Sequence, residues 1–300
     1  LEAAVHHIGE EIHFYAAVPR ESIESVSRQI EGMWKEAQIE PVDDYTIFTT
    51  GSIVSAAYLK QKISYILPIR TYQEASIDTF ATILSGLTKI SEIGEGAALQ
   101  ILVKPAPNST KKSIFQIISN LKKGNKLEDL LKGMKIEFKD IQKALNPKSD
   151  DEAKKEEKII DEEAIKTLEM KISKPLLSVN ARIISSAPSQ FQADTILESI
   201  AGAFSQFSAP RRQELKIIKP RNPQKLIYQY SFREFDDSQS MILNTEELAS
   251  MYHFPTITSD VPKIKWLKSK ESAPPVNLPK KGTLIGESIF RSQREQIYIA

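Results

Sequence analysis

The chain has 300 residues, 41% of them hydrophobic, enough for one large domain or two ordinary ones with real cores. Its 40 basic and 39 acidic residues leave a net charge of +1, so any attraction to nucleic acid must come from local patches and not from a global field. The absence of cysteine excludes disulfides, thiolate metal sites and a cysteine nucleophile, and fits a cytoplasmic setting.

Glu11 to Val18 reads as a strand closed by Pro19. Ile23, Val26, Ile30, Met33 and Trp34 then recur at three- and four-residue steps and predict a helix. Tyr45 to Thr50 and Val54 to Ile69 read as two strands joined at Gly51-Ser52. Ile77, Phe80, Ala81, Leu84 and Leu87 make a second helical face, and Ala97 to Val103 a closing strand. The order is βαββαβ, the ferredoxin-like motif, in which helices cover one face of an antiparallel sheet. His6 and His7 precede its first strand and read as frayed-terminus residues.

A helix from Ser109 to Lys123 is stopped by Gly124. Residues 126 to 171 are then dense in Lys, Glu and Asp, with apolar residues as sparse as Ile159, Ile160, Ala164 and Leu168. Such spacing buries one narrow stripe at most, which predicts a charged helical insertion or arm. Structure resumes with a strand from Leu176 to Ser185, a helix capped by Ser189, and two strands, Gln213 to Lys219 and Lys225 to Phe235, around the Arg221-Asn222-Pro223 turn. Asn244 with Glu247 forms the signature of a capped helix that stops at Pro255. The expected fold class is therefore α+β, with two ferredoxin-like antiparallel units. The first spans 1–124, the insertion 125–172, the second unit 173–256 and a Pro- and Lys-rich connector 257–300.

The chemistry sought along the chain is largely missing. There is no Gly-x4-Gly-Lys-Ser/Thr phosphate cradle, and Gly94-Glu95-Gly96 reads as a turn. His6, His7, His13 and His253 lack acidic partners at ligand or triad spacing, and no catalytic or metal residue is assigned. Two basic clusters remain. Arg211, Arg212, Lys216, Arg221 and Lys225, with Tyr228 among them, combine cations with an aromatic ring as single-stranded nucleic acid requires. Lys263, Lys265, Lys268, Lys270, Lys280 and Lys281 surround Trp266 in the connector. The rival account of both is a solvated surface.

The segments TEELASMYHFP (245–255) and GTLIGESIFRSQREQIYI (282–299), with the basic, proline-rich connector between them, resemble the region just ahead of the motor in bacterial FtsK/HerA-type ATPases, particularly the VirB/TraG-like proteins of conjugation and type IV secretion. EIHFYAAVP (11–19) and DDYTIF (43–48) resemble the family's N-terminal region. The resemblance implies a non-catalytic assembly or docking region on the cytoplasmic side of the membrane, with Trp266, Gly282 and Gly286 in the connector to a motor domain beyond Ala300. ATP and Mg2+ would belong to that domain and not to this chain. The implied partners are the motor, further copies in a ring with a hexamer as the candidate state, the secretion apparatus at the membrane, and DNA. A leading leucine where methionine is expected suggests further residues upstream. The alternative is a free-standing ferredoxin-like module that binds single-stranded nucleic acid through the 211–228 patch.

Overall fold

The computed structural model describes residues 1–34, 37–90, 92–137, 160–256, 261–266, 275, 277–279, 281–290 and 293–299. Its strands are β1 (Glu2–Val5), β2 (Ile12–Tyr15), β3 (Ile53–Gln61), β4 (Gly96–Pro105), β5 (Leu176–Ala187), β6 (Leu215–Ile218), β7 (Met241–Asn244), β8 (Thr283–Phe290) and β9 (Gln293–Ile299). Its helices are α1 (Ile23–Met33), α2 (Tyr72–Ala75), α3 (Thr79–Leu87), α4 (Asn108–Lys122), α5 (Leu127–Glu137), α6 (Glu162–Ile172), α7 (Gln190–Gly202), α8 (Pro223–Ser231) and α9 (Thr245–Met251).

The α+β class and the antiparallel sheet are as expected. Seven strands form one sheet in the order β2-β1-β4-β5-β3-β6, with β7 lying beside the first residues of β5. The two halves of the sequence do not form separate sheets. β5, from the second half, inserts between β4 and β3 of the first, pairing Gly96–Pro105 on one side and Ile53–Tyr58 on the other. A strand buried on both faces can take this central place, and all but the first two residues of β5 are buried.

Strand alternation sorts the side chains into two layers. Ala3, Val5, Leu99, Ile101, Ala181, Ile183 and Leu59 face α3, α7 and α9 and make the main core with Phe80, Ile83, Leu84, Leu197 and Ile200. Ala4, Ala56, Ala98 and Ile184 face the other way, under α8 and the 45–48 segment, where Leu226, Tyr230 and Ile47 cover them. At the end of the sheet where β4 leaves and β5 enters, α4 and α6 pack together through Ile114, Ile118, Leu121, Ile165, Leu168 and Ile172.

Three local expectations change. Lys225 to Phe235 is not a strand. Pro223 occupies the first turn of α8 and the Asn222 side chain accepts the Gln224 N–H, so the backbone is set for a helix in spite of its β-favouring Ile227, Tyr228 and Tyr230. Tyr45 to Thr50 has no ladder partner and lies across the sheet as a cover. The charged stretch 126–171 is not all solvated: Ile165 and Ile172 complete an apolar stripe on α6, which is core, while residues 138–159 lie outside the described residues.

The α3–α7 crossing depends on Gly86. A Cβ there would stand 2.9 Å from the Ile200 Cα, a backbone atom that cannot step aside. Gly86→Ala is expected to lower stability by about 1–3 kcal/mol in thermal or urea denaturation, because overpacking outweighs the gain in helix propensity of about 1 kcal/mol. Gly202→Ala, where nothing lies within 4 Å, is the control and should be neutral or stabilising.

Candidate functional site

The chain following α9 is fastened back onto the first two strands. The helix itself is set by the expected capping box, in which Asn244 Oδ1 accepts the Glu247 N–H (2.9 Å) and the Glu247 carboxylate accepts the Asn244 N–H (2.7 Å). Glu247 also accepts the Ile69 N–H (2.8 Å) and pairs with Lys171 Nζ (2.6 Å), so one buried carboxylate ties α9 to α6 and to the loop after β3.

Tyr252 ends α9 in an extended conformation, almost fully buried, and its hydroxyl donates to the Glu2 carbonyl (2.9 Å). Burial raises its phenol pKa, so it stays a donor. His253 Nε2 lies 3.1 Å from Asp78 Oδ1, the oxygen that caps α3. Phe254 meets Phe14 and Trp34 edge-on at 6.3 and 5.5 Å.

The next described segment, 261–266, runs along the outer side of β2. Val261 is buried and Ile264 packs on the main core. The Lys263 carbonyl accepts the Ile12 N–H (2.8 Å), and its ammonium donates to the Ile90 carbonyl (2.6 Å) and lies 3.3 Å from Glu10. Lys263 has φ 68°, a left-handed conformation that costs a non-glycine residue and is held by these three contacts. The connector thereby covers the start of the outer β2 edge through one backbone hydrogen bond.

The other connector residues fall as follows. Trp266 is the last described residue of this segment and is 37% exposed. Gly282 has φ 135° directly before β8, and Gly286 sits at the register shift of the β8–β9 hairpin, consistent with turn and bulge positions. That hairpin exposes Leu284, Ile285 and Ile299. Lys268, Lys270 and Lys280 lie outside the described residues.

The structure does not gather the basic patch into one free surface. Arg211 is engaged by Asp161 and Glu163 at the start of α6. Arg212 donates to Thr167 (2.8 Å) and to Glu74 (3.0 Å). Lys225 lies 3.5 Å from Asp236 on one side of α8, while Tyr228 packs on Phe232 at 4.6 Å on that helix's outer face. Lys216 on β6 and Arg221 in the following loop are exposed and make no ion pair among the described residues.

A second polar cluster was invisible in the sequence. Arg233 bridges Glu2 (2.9 Å) and Asp44 (2.8 Å), and hydrogen bonds to Asp44 first, then to Glu2, raise its pKa against the opposing effect of burial. Beside it Tyr15 and Tyr45 stack at 4.2 Å, His6 stacks on His13 at 4.5 Å, and the Tyr15 hydroxyl is 2.6 Å from His6 Nε2. Burial lowers the pKa of both imidazoles; His6, directly after β1, is not frayed but stacks in a packed column with His13 of β2. These contacts span up to 231 residues of sequence, and no local pattern announces them. Among the described residues no group of three His, Asp or Glu side chains could hold a metal, and no helix is long and apolar enough to cross a membrane.

Fold and site together define an α+β protein in which one antiparallel sheet receives its own C-terminal connector along an edge. The chain belongs to the family described as a domain of unknown function, DUF8128, whose model matches residues 4–267, from β1 to just past Trp266. No curated protein and no solved structure matches it.

Proposed function

We propose that this domain is a non-catalytic assembly and docking region that precedes the motor of a FtsK/HerA-like, DNA-translocating ATPase of type IV secretion or conjugation, on the cytoplasmic side of the membrane apparatus. The observation that supports this reading is the fastened connector. A tether between a docking domain and a ring motor transmits orientation only if its first part is immobilised. Tyr252, Phe254, Val261 and Lys263 immobilise it here through burial and hydrogen bonds. The segments that resemble the family lie on both sides of that seat. ATP and Mg2+ are assigned to the motor, and further copies of the chain and the secretion apparatus are the proposed partners.

The alternative, a single-stranded nucleic-acid module, draws less support, because Arg211, Arg212 and Lys225 already face carboxylates. Replacing Arg212 and Arg221 together by alanine is expected to leave the salt slope of oligonucleotide binding unchanged. If each arginine held a phosphate, the slope would flatten by about two units, and that result would restore the nucleic-acid reading. The docking proposal itself is tested by the reading frame past Ala300. A Walker A loop within a few tens of residues is expected, and a stop codon directly after Ala300 would remove the proposal.

A further inference from the structure

β6 is the outermost strand at the end of the sheet opposite the connector, and the phase of its outward hydrogen bonds can be worked out. Lys62 N–H donates to the Glu214 carbonyl (2.9 Å), which continues the β3–β6 register of Lys60 with Lys216 and Tyr58 with Ile218. In an antiparallel pair, bonded and non-bonded residues alternate, so Glu214, Lys216 and Ile218 bond inward to β3. Leu215 and Ile217 therefore turn their N–H and C=O groups outward, and among the described residues neither N–H has another backbone acceptor.

Alternation fixes the side chains as well. Leu215 and Ile217 lie on the main-core face, beside a groove of about 510 Å³ whose floor is Leu197, Ala201 and Phe204 of α7 and the turn after it. Lys216 stands on the other face, exposed, directly opposite Lys60. Lys60 donates to the Ser238 carbonyl, and among the described residues neither ammonium forms an ion pair with a carboxylate. A basic strand added here would face like charge; an acidic one would relieve it.

We propose that the β6 edge is a strand-addition site for an extended segment of a partner protein in which acidic and apolar residues alternate. The partner's backbone pairs with Leu215 and Ile217, its apolar residues enter the groove against α7, and its carboxylates lie beside Lys216 on the opposite face. This inference does not depend on the motor reading, since it uses only the edge, the groove and the charge.

The test uses the full chain and two acetylated, amidated peptides, one alternating glutamate with valine and the other lysine with valine. The acidic peptide is expected to bind saturably, to slow amide exchange at Leu215 and Ile217, and to bind more tightly than the basic one. Lys216→Glu, at an exposed position where it gains Lys60 as a partner, should weaken the acidic peptide about fivefold and favour the basic one. Equal binding of the two peptides, binding without protection of Leu215 and Ile217, or no binding of either would overturn the proposal. So would self-association of the chain through this edge, since the occupant would then be a second copy.

Discussion

Lys171→Met should lower the unfolding free energy by about 3–5 kcal/mol, because it strands a carboxylate in the interior. Lys171 and Glu247 have fully buried side chains and meet at 2.6 Å. Burial pulls the Lys171 pKa down and the Glu247 carboxylate opposes that pull, so the ammonium depends on its partner. Lys171 also donates to the Ile242 carbonyl (2.7 Å), which would then keep only the Gln61 amide (3.0 Å) as a side-chain donor. The double change Lys171→Met with Glu247→Leu should recover only part of the loss. Glu247 is also the acceptor for the N–H groups of Ile69 and Asn244, and an apolar pair leaves both buried and unsatisfied. Urea denaturation followed by circular dichroism measures both. A single-variant loss under about 1 kcal/mol would mean that water reaches the pair and that α6 is not locked to α9.

Arg182→Leu is expected to cost more than about 3 kcal/mol, and Arg182→Lys should fail to rescue most of it. Arg182 is fully buried between the sheet and α8. Its guanidinium donates to the side chains of Gln100, Asn180 and Gln239 and to the carbonyls of Gln229 (2.9 Å) and Glu234 (2.6 Å). Burial lowers its pKa to about 10, against the pull of Asp236 and Glu234, so it remains charged at neutral pH. Those two carbonyls lie at and just beyond the C-terminal end of α8, the negative end of the helix dipole, which suits a cation. An ammonium cannot reach so many acceptors in a plane, which is why lysine is a poor substitute. Equal stability of the leucine variant would show that the acceptors find other donors.

The sequence made the single-element signals legible and the long-range ones illegible. The Asn244–Glu247 capping box is a local pattern and appears as read. The alternation of Leu177, Val179, Ala181 and Ile183 announced β5, but its insertion between β4 and β3 depends on partners about 80 and 130 residues away. Asn222-Pro223 carried a helix-start signal that the aromatic and β-branched residues after it masked. Glu2-Ala3-Ala4-Val5 has little strand propensity and is a strand because β2 and β4 bracket it. The basic patch was legible as composition alone. Whether a cation is free depends on whether a carboxylate faces it, and Arg211 meets its acids about 50 residues away in sequence.

The seat of the connector is the point on which the functional account turns. The direct measurement is ATP turnover by the full-length natural gene product, with and without DNA, for the wild type and for a chain carrying Phe254→Ala and Lys263→Ala. The Phe254 ring and the Lys263 ammonium are two of the groups that hold the connector against Phe14, Trp34, Ile90 and Glu10. The account predicts that the double variant still folds and binds nucleotide but loses most of the stimulation by DNA, because a loosened connector no longer orients the motor. Identical stimulation in the two proteins would contradict it, as would the absence of any ATP turnover in the full-length wild-type protein.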